Sequence, residues 1–369
     1  MMIGDTVGAL DFQSRHLQYA LRAGDPWRIA RALSVDVGVM GMAGTRTARM
    51  VDRTEQTAKA ILARLNDPAL DHLHGYTVAW AAFWRGSWTE AIRLLRQNES
   101  RPLPQQLQWA WGVTISRLGH LFALIFTGEL AELKARVPAM LRDARERGDL
   151  FTEVSIHNPF VPVTLLMNDE PERARREMRE AIGRWSPKGF LYQHFWNLHA
   201  ETEIGLYVGE AAETWDRLQR RWLALATSQL FQIEHFRVLA WHLRARSALA
   251  LAAAGENRKR LLETALLDAR RIEREKPAWA RPFCTLIRAG AANLRGRQEE
   301  AADLFARAER GFGDVDMKLY QAAARCCGGT LTGNPSQLEE GELFMTAQGI
   351  LNPGRFTRML APSVMDVEQ

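Results

Sequence analysis

The sequence is poor in whatever would divide it or cross-link it. Cysteine occurs three times in 369 residues, at Cys284, Cys326 and Cys327, too few and too unevenly spaced for a disulfide framework or a thiolate metal site. A chain with so few thiols suits a reducing compartment, and a cytoplasmic location is the expectation. Proline is sparse, with 14 residues, and no Gly/Ser-rich or Pro-rich tract separates one region from another. Lysine is nearly missing: 42 of the 48 basic residues are arginine, a bias that a GC-rich coding sequence explains. The net charge is only +5, and the basic residues form no unbroken stripe, so nucleic acid is not the expected partner. Long apolar runs are lacking as well. The most apolar stretches, Leu121 to Phe126 and Ala248 to Ala254, are too short to span a bilayer, and no membrane role is expected. The opening Met-Met-Ile-Gly-Asp-Thr has no basic segment before an apolar core and does not read as a secretory signal. No stretch alternates with period two for long enough to argue a strand.

What is present is helical pattern punctuated by small turns. These fall at Gly24, Gly86, Gly128, Asn168–Asp169, Gly209, Gly255, Gly296 and Gly333, and from Gly86 the intervals are 42, 41, 40, 46, 41 and 37 residues. A spacing near forty holds two helices of about fifteen residues and two short connections. The segments after the turns carry one apolar stripe each: Leu130, Leu133, Val137, Met140 and Leu141; Ala174, Met178, Ala181, Ile182 and Trp185; Ala211, Trp215, Leu218 and Trp222; Ala301, Leu304, Phe305, Ala308 and Phe312. Proline follows several turns at the first position of the next helix, as in Asp25-Pro26, Glu170-Pro171 and Asn334-Pro335. The section between Gly24 and Gly86 is irregular and predicts three helices, near 27–40, 47–66 and 69–85, with a loop at Gly41 to Gly44. The expected organisation is therefore irregular helices over 1–68, regular hairpins over 69–348, and a cap and tail over 349–369. The fold class is all-α: a right-handed α-solenoid of about seven or eight tetratricopeptide-like helical hairpins, whose stability is a sum over units and their interfaces.

Gly86-x-Trp88-x-x-Ala91, and the run from Gly296 through Ala301 to Ala308, resemble the small-residue pattern of tetratricopeptide-like repeats, with a longer period. A more specific resemblance lies in Asp11 to Leu33, Arg136 to Leu150, Arg184 to Phe190, Ala347 to Gly354, and Met359 to Pro362. These stretches resemble the carboxy-terminal helical array of bacterial serine/threonine kinases of the myxobacterial and planctomycete type, in which a kinase domain and an AAA- or STAND-type ATPase precede the array. The catalytic motifs of those proteins are missing here: no Gly-rich phosphate loop, no His-Arg-Asp or Asp-Phe-Gly segment, and no Gly-x4-Gly-Lys-Ser/Thr loop. The resemblance thus implies a non-catalytic sensor or scaffold module, without a cofactor, that couples binding of a protein, peptide or small ligand to kinase–ATPase partners.

The densest unusual cluster runs from Phe190 to Glu203. On a helix, Tyr192, Phe195, Trp196 and His199 share one side, and the plainer reading is packing between repeats. The functional reading is a partner or ligand surface built from Tyr192, Gln193, His194, Trp196, His199 and Glu203. A rival reading is a helical-toroid hydrolase using His199 with Glu201 or Glu203. The four-residue spacing of His199 and Glu203 suits a metal or an acid–base pair, but the second histidine of His-Glu-x-x-His is absent, and no metal is expected. His72 and His74 are two residues apart and point to different sides of a helix. His235 and His242, flanked by Glu234 and Arg237, read as an ordinary surface face. Asn158-Pro159-Phe160-Val161-Pro162 predicts a bend in preference to a binding loop. The arginines from Arg173 to Arg184 alternate with Glu172, Glu177 and Glu180 and read as a solvated, ion-paired face, with an anionic partner as the alternative. A regulator that binds nucleic acid through its arginines is the remaining alternative function.

Overall fold

A computed structural model describes residues 6–100, 110–186, 188–255 and 257–362, and in it every turn marked by the sequence closes on a left-handed residue. Gly24, Gly86, Gly128, Asp169, Gly209, Gly255, Gly296 and Gly333 all have φ between +56° and +99°. A residue in this conformation just past a helix satisfies the last free carbonyls and reverses the chain. A second set lies about halfway between turns of the first, at Gly148, Gly189, Lys276 and Asp316, with Asn66 ahead of Gly86 and Gly349 at the end. Left-handed residues therefore stand at 128, 148, 169, 189 and 209, and again at 255, 276, 296, 316, 333 and 349. Each interval encloses one α-helix and its connection, except that from 148 to 169, which holds two short ones.

Among the described residues all regular elements are helices, and none is long and apolar enough to cross a membrane. They run α1 (Thr6–Ala23), α2 (Pro26–Gly41), α3 (Ala48–Leu65), α4 (Pro68–Trp84), α5 (Trp88–Glu99), α6 (Ala110–Thr127), α7 (Leu130–Glu146), α8 (Leu150–His157), α9 (Val161–Met167) and α10 (Pro171–Gly183). There follow α11 (Tyr192–Val208), α12 (Ala211–Ala226), α13 (Glu234–Ala253), α14 (Arg258–Glu275), α15 (Arg281–Leu294), α16 (Gln298–Gly313), α17 (Lys318–Thr332), α18 (Pro335–Ala347) and α19 (Pro353–Leu360). Short 3-10 turns occupy Gly44–Thr47, Gln229–Gln232 and Ala278–Ala280. Helix starts follow the local chemistry. The side chains of Asp25, Asp67, Asp149, Asn334 and Asn352 each accept from a backbone N–H of the turn they open. Four of these caps are followed directly by proline, at Pro26, Pro68, Pro335 and Pro353.

The helices group into two compact units, one comprising Met1–Leu124 and Gln232–His235, the other Ile125–Phe231 and Phe236–Gln369. In the first unit α2 lies between α3 and α4. Val37, Val51 and Ala81 form one buried cluster there, and Ala30, Leu62 and Leu70 another. The three helices expected between Gly24 and Gly86 are α2, α3 and α4, and the 3-10 turn at Gly44–Thr47 begins where the expected loop ends.

In the second unit two kinds of helix alternate. On α7, α10 and α16 burial follows the apolar stripe: Leu130, Leu133 and Val137; Ala174, Met178 and Ala181; Ala301, Phe305, Ala308 and Phe312. On α12 the innermost positions are Thr214, Leu218 and Leu225, with Ala211, Trp215 and Trp222 half-buried beside them. By contrast α8, α9, α11 and α15 are buried on nearly every side, as is α13 from Phe236 onward. A helix apolar or buried all round belongs to an interior. Asn158 to Phe160 interrupts what would be one helix between α8 and α9. Asn158 and Phe160 are fully buried, so the break is a bend within the packing. The unit also closes on itself. The Gly128 turn lies against the start of α17, where a Cβ at Gly128 would stand 2.7 Å from the Leu319 nitrogen. Only glycine fits there, with φ at +78° as well.

Candidate functional site

The aromatic and polar cluster singled out in the sequence is α11, and the structure spreads its residues over different tasks. Leu191 precedes the helix, and its N–H donates to Nδ1 of His194 at 3.0 Å, the reach-back half of a capping arrangement. Burial holds the His194 imidazole below its ordinary pKa, which suits a neutral acceptor. Tyr192 is buried, its ring edge-on to Trp196 and to Phe236 of α13 at 6.2 and 6.1 Å. Gln193 is buried too and donates to the Ser155 hydroxyl of α8 at 3.3 Å. Trp196 packs against Phe195 and His199, with centroids 5.2 and 5.3 Å apart. These residues hold α11 against its neighbours.

His199 and Glu203 form the one pair of the set with charge chemistry. Nδ1 of His199 lies 3.5 Å from the Glu203 carboxylate, as their four-residue spacing implies. The partner that sequence reasoning missed is Arg246 on α13. Its Nη2 donates to Glu203 Oε1 at 3.2 Å, and its Nη1 donates to the Met359 carbonyl of α19 at 3.0 Å. Arg246 is 1% exposed, so this is a buried ion pair. Burial alone would raise the Glu203 pKa, but His199 and Arg246 outweigh it and bring the carboxyl to about 2. Around the pair, burial lifts Tyr320 to about 12 and, with the charges of Arg246 and His199, drives His242 well below the ordinary histidine range. The His242 ring lies 4.0 Å from that of Phe283, tilted by 35°. A carboxylate ionised and clamped in this way carries no proton for an acid step, and its oxygens are already engaged. The sequence hardly singles it out, because Arg246 is one of three arginines on α13, with Arg237 and Arg244.

His235, His242 and Glu234 are buried, which corrects the surface-face reading. His72 and His74 are buried as well, on an α4 that is enclosed on both sides. Among the described residues no group of three or more His, Cys, Asp or Glu side chains is placed to hold a metal ion. The three thiols are buried, and desolvation raises Cys284 to about 12 and Cys326 to about 11.

The face of α11 that meets Arg246 is covered by the chain's own α19, which packs on α11 and α17. Asp169 organises one end of this contact: it accepts from the Tyr207 hydroxyl at 2.7 Å and from Arg355 at 2.8 Å. Arg358 donates to the Tyr207 carbonyl at 2.9 Å, the Leu351 N–H donates to the Met167 carbonyl at 2.9 Å, and Phe356 is wholly buried beside Tyr207. The expected partner surface is thus filled from within along its later turns.

Concave surface remains elsewhere. In the first unit a groove of about 520 Å³ is lined by Phe12, Val35, Met42, Trp80 and Trp84, with His16 and Arg31 among its few polar groups. In the second unit a groove of about 810 Å³ runs between α7 and α10 over α8 and α9. No family model matches the chain, and no curated protein matches it.

Proposed function

We propose that the protein is a non-catalytic helical-repeat module, a right-handed solenoid of tetratricopeptide-like hairpins in which a groove between neighbouring helices holds a protein or peptide partner. The observation that carries this reading is the fate of the reactive side chains. Glu203, His199 and Arg246 are joined in a buried cluster that also holds α19, while the wide groove between α7 and α10 stays open. The alternation of enclosed helices with one-faced helices, and the recurrence of left-handed turns, support the repeat reading. Coupling to a kinase–ATPase partner rests on the sequence resemblance alone. A ligand that prefers one arrangement of the hairpins would then bias the stack.

The test pairs binding with catalysis. Immobilised full-length protein is offered the native cell extract, retained proteins are identified, and each is purified and titrated back. The expected result is a saturable complex with at least one of them. A hydrolytic activity in a broad substrate screen that is present in the wild type and lost in Glu203→Gln would overturn the proposal in favour of the hydrolase.

A further inference from the structure

We infer that the groove between α7 and α10 is the docking site of an extended acidic peptide segment. The inference rests on the binding-module reading and adds the chemistry of the partner. The walls carry facing cationic stripes. Lys134, Arg142 and Arg145 line the groove from α7, and Arg173, Arg176 and Arg184 line it from the α10 side, against the carboxylates of Glu153, Glu177 and Glu180. Six cations therefore face three carboxylates.

The pairing makes the excess usable. Glu153 is buried and shared by two cations, accepting from Arg145 at 3.1 Å and lying 2.9 Å from Arg184. Burial pushes its pKa up, yet hydrogen bonds from Arg184 and Arg145 prevail and hold it below the ordinary value, so Glu153 ties the two walls together at one end. Beside it, His157 donates from Nδ1 to the Glu153 carbonyl at 3.0 Å and accepts at Nε2 from Arg145 at 3.2 Å. Its pKa is lowered by burial, so it is neutral and leaves the Arg145 charge in place. At the other end Lys134 donates to the Asn168 amide oxygen and its charge also acts on Glu170, while Arg173 is matched by Glu177 and by Glu170. Between the ends, Arg142 and Arg176 are exposed and, among the described residues, pair with no side chain; Glu180 is the unpaired counter-charge one turn beyond Arg176.

The shape selects the form of the anion. Lys134 to Arg145 and Arg173 to Arg184 each span eleven residues, or about 16 Å at helical rise. An extended chain advances about 3.3 Å per residue, so about five residues lie along the groove. Val161, Leu165 and Leu141 offer apolar floor between the charges, which suits the stems of acidic side chains on a peptide backbone and does little for a lone phosphate.

The experiment follows a fluorescein-labelled peptide with five consecutive glutamates by anisotropy against the full chain. The expected result is saturable binding that weakens about tenfold or more in Arg142→Glu/Arg176→Glu. A charge-matched control, Arg220→Glu/Arg307→Glu on the exposed faces of α12 and α16, keeps wild-type affinity. Binding also falls as salt rises from about 0.05 M to about 0.5 M, and a glutamine peptide of the same length stays free. Circular dichroism of each variant checks the fold, and Arg142→Gln/Arg176→Gln gives an intermediate loss. Equal loss in both charge-reversed variants, no loss in either, or equal competition by inorganic phosphate or a single-stranded oligonucleotide overturns the inference. A natural partner that binds wild type and Arg142→Glu/Arg176→Glu alike also overturns it, while leaving the binding-module reading intact.

Discussion

The buried Glu203–Arg246 pair makes a quantitative demand on the fold. Glu203 is 11% exposed at its side chain, and its pKa falls from 4.5 to about 2 in the folded state. A shift of that size corresponds to about 3 kcal/mol of linkage at neutral pH, to order of magnitude. Because the folded-state pKa is depressed, that stability is fully present above pH 4.5 and is lost as pH falls from there through about 2. Deleting the cation in Arg246→Met strands a buried carboxylate, at a cost of about 3–5 kcal/mol. Glu203→Leu/Arg246→Met replaces the pair by apolar volume and recovers most of the loss.

A single unfolding free energy is a poor readout for a chain of two units, so the assay is local. Arg246 also holds the Met359 carbonyl, and amide exchange in α19 therefore reports the pair. In Arg246→Met the exchange of residues 355–361 rises about a hundredfold, the equivalent of about 3 kcal/mol. In the double variant it returns most of the way. Asp169, whose carboxyl is also held low by Tyr207 and Arg355 against the upward push of burial, contributes its own loss of α19 protection in acid. The measured quantity is accordingly the difference between wild type and the double variant from pH 5 to pH 2.5, after correction for intrinsic rates. Unchanged α19 protection in Arg246→Met, or a double variant no better protected than that single, would refute the reasoning.

Two further outcomes follow from the same packing. Gly209→Ala and Gly128→Ala both place a side chain at a left-handed φ, worth roughly 1–2 kcal/mol, but only Gly128→Ala drives its Cβ against the Leu319 backbone, so it melts at the lower temperature; equal melting would sink the close approach. Cys284 and Cys326, raised to about 12 and about 11 by burial, stay unlabelled by a thiol reagent at pH 8 until denaturant is added, and rapid labelling of Cys284 in the native protein would contradict the burial.

The fold was legible where one residue type forces the backbone. Glycine past a helix end and proline at a helix start marked the turns at Gly24, Gly86, Gly128 and Gly333, because few other residues serve there. The half-period turns were harder to see. At Asn66, Lys276 and Asp316 the left-handed residue is not glycine, and its conformation is imposed by the packing of the two helices it joins. The apolar stripes on α7, α10 and α16 were legible because one face of each is wet. α13 was not. A helix enclosed on all sides has no period to detect, so Glu234, His235 and His242 looked like surface residues although each is buried. The site was visible only as far as one helix reaches. His199 and Glu203 share α11, but Arg246 lies 43 residues further on and the Met359 carbonyl 113 residues beyond that.

Across that distance the packing joins His199 and Glu203 to a third charged group. An enclosed helix such as α13 brings Arg246 into the interior, and a buried guanidinium requires a carboxylate and further acceptors. Glu203 supplies the charge. The Met359 carbonyl near the end of α19 supplies an acceptor that the helix leaves free, and the negative end of the α19 dipole favours the cation. Binding α19 is thus the way the interior satisfies Arg246, and releasing α19 would expose the cation, the carboxylate and Phe356 together. A partner that entered through the α11 face would have to replace all three contacts before gaining any of its own. A partner in the groove between α7 and α10 need not displace these α19 contacts, and the exposed Arg142 and Arg176 meet it first. Binding is favoured where the protein has left its charges unspent.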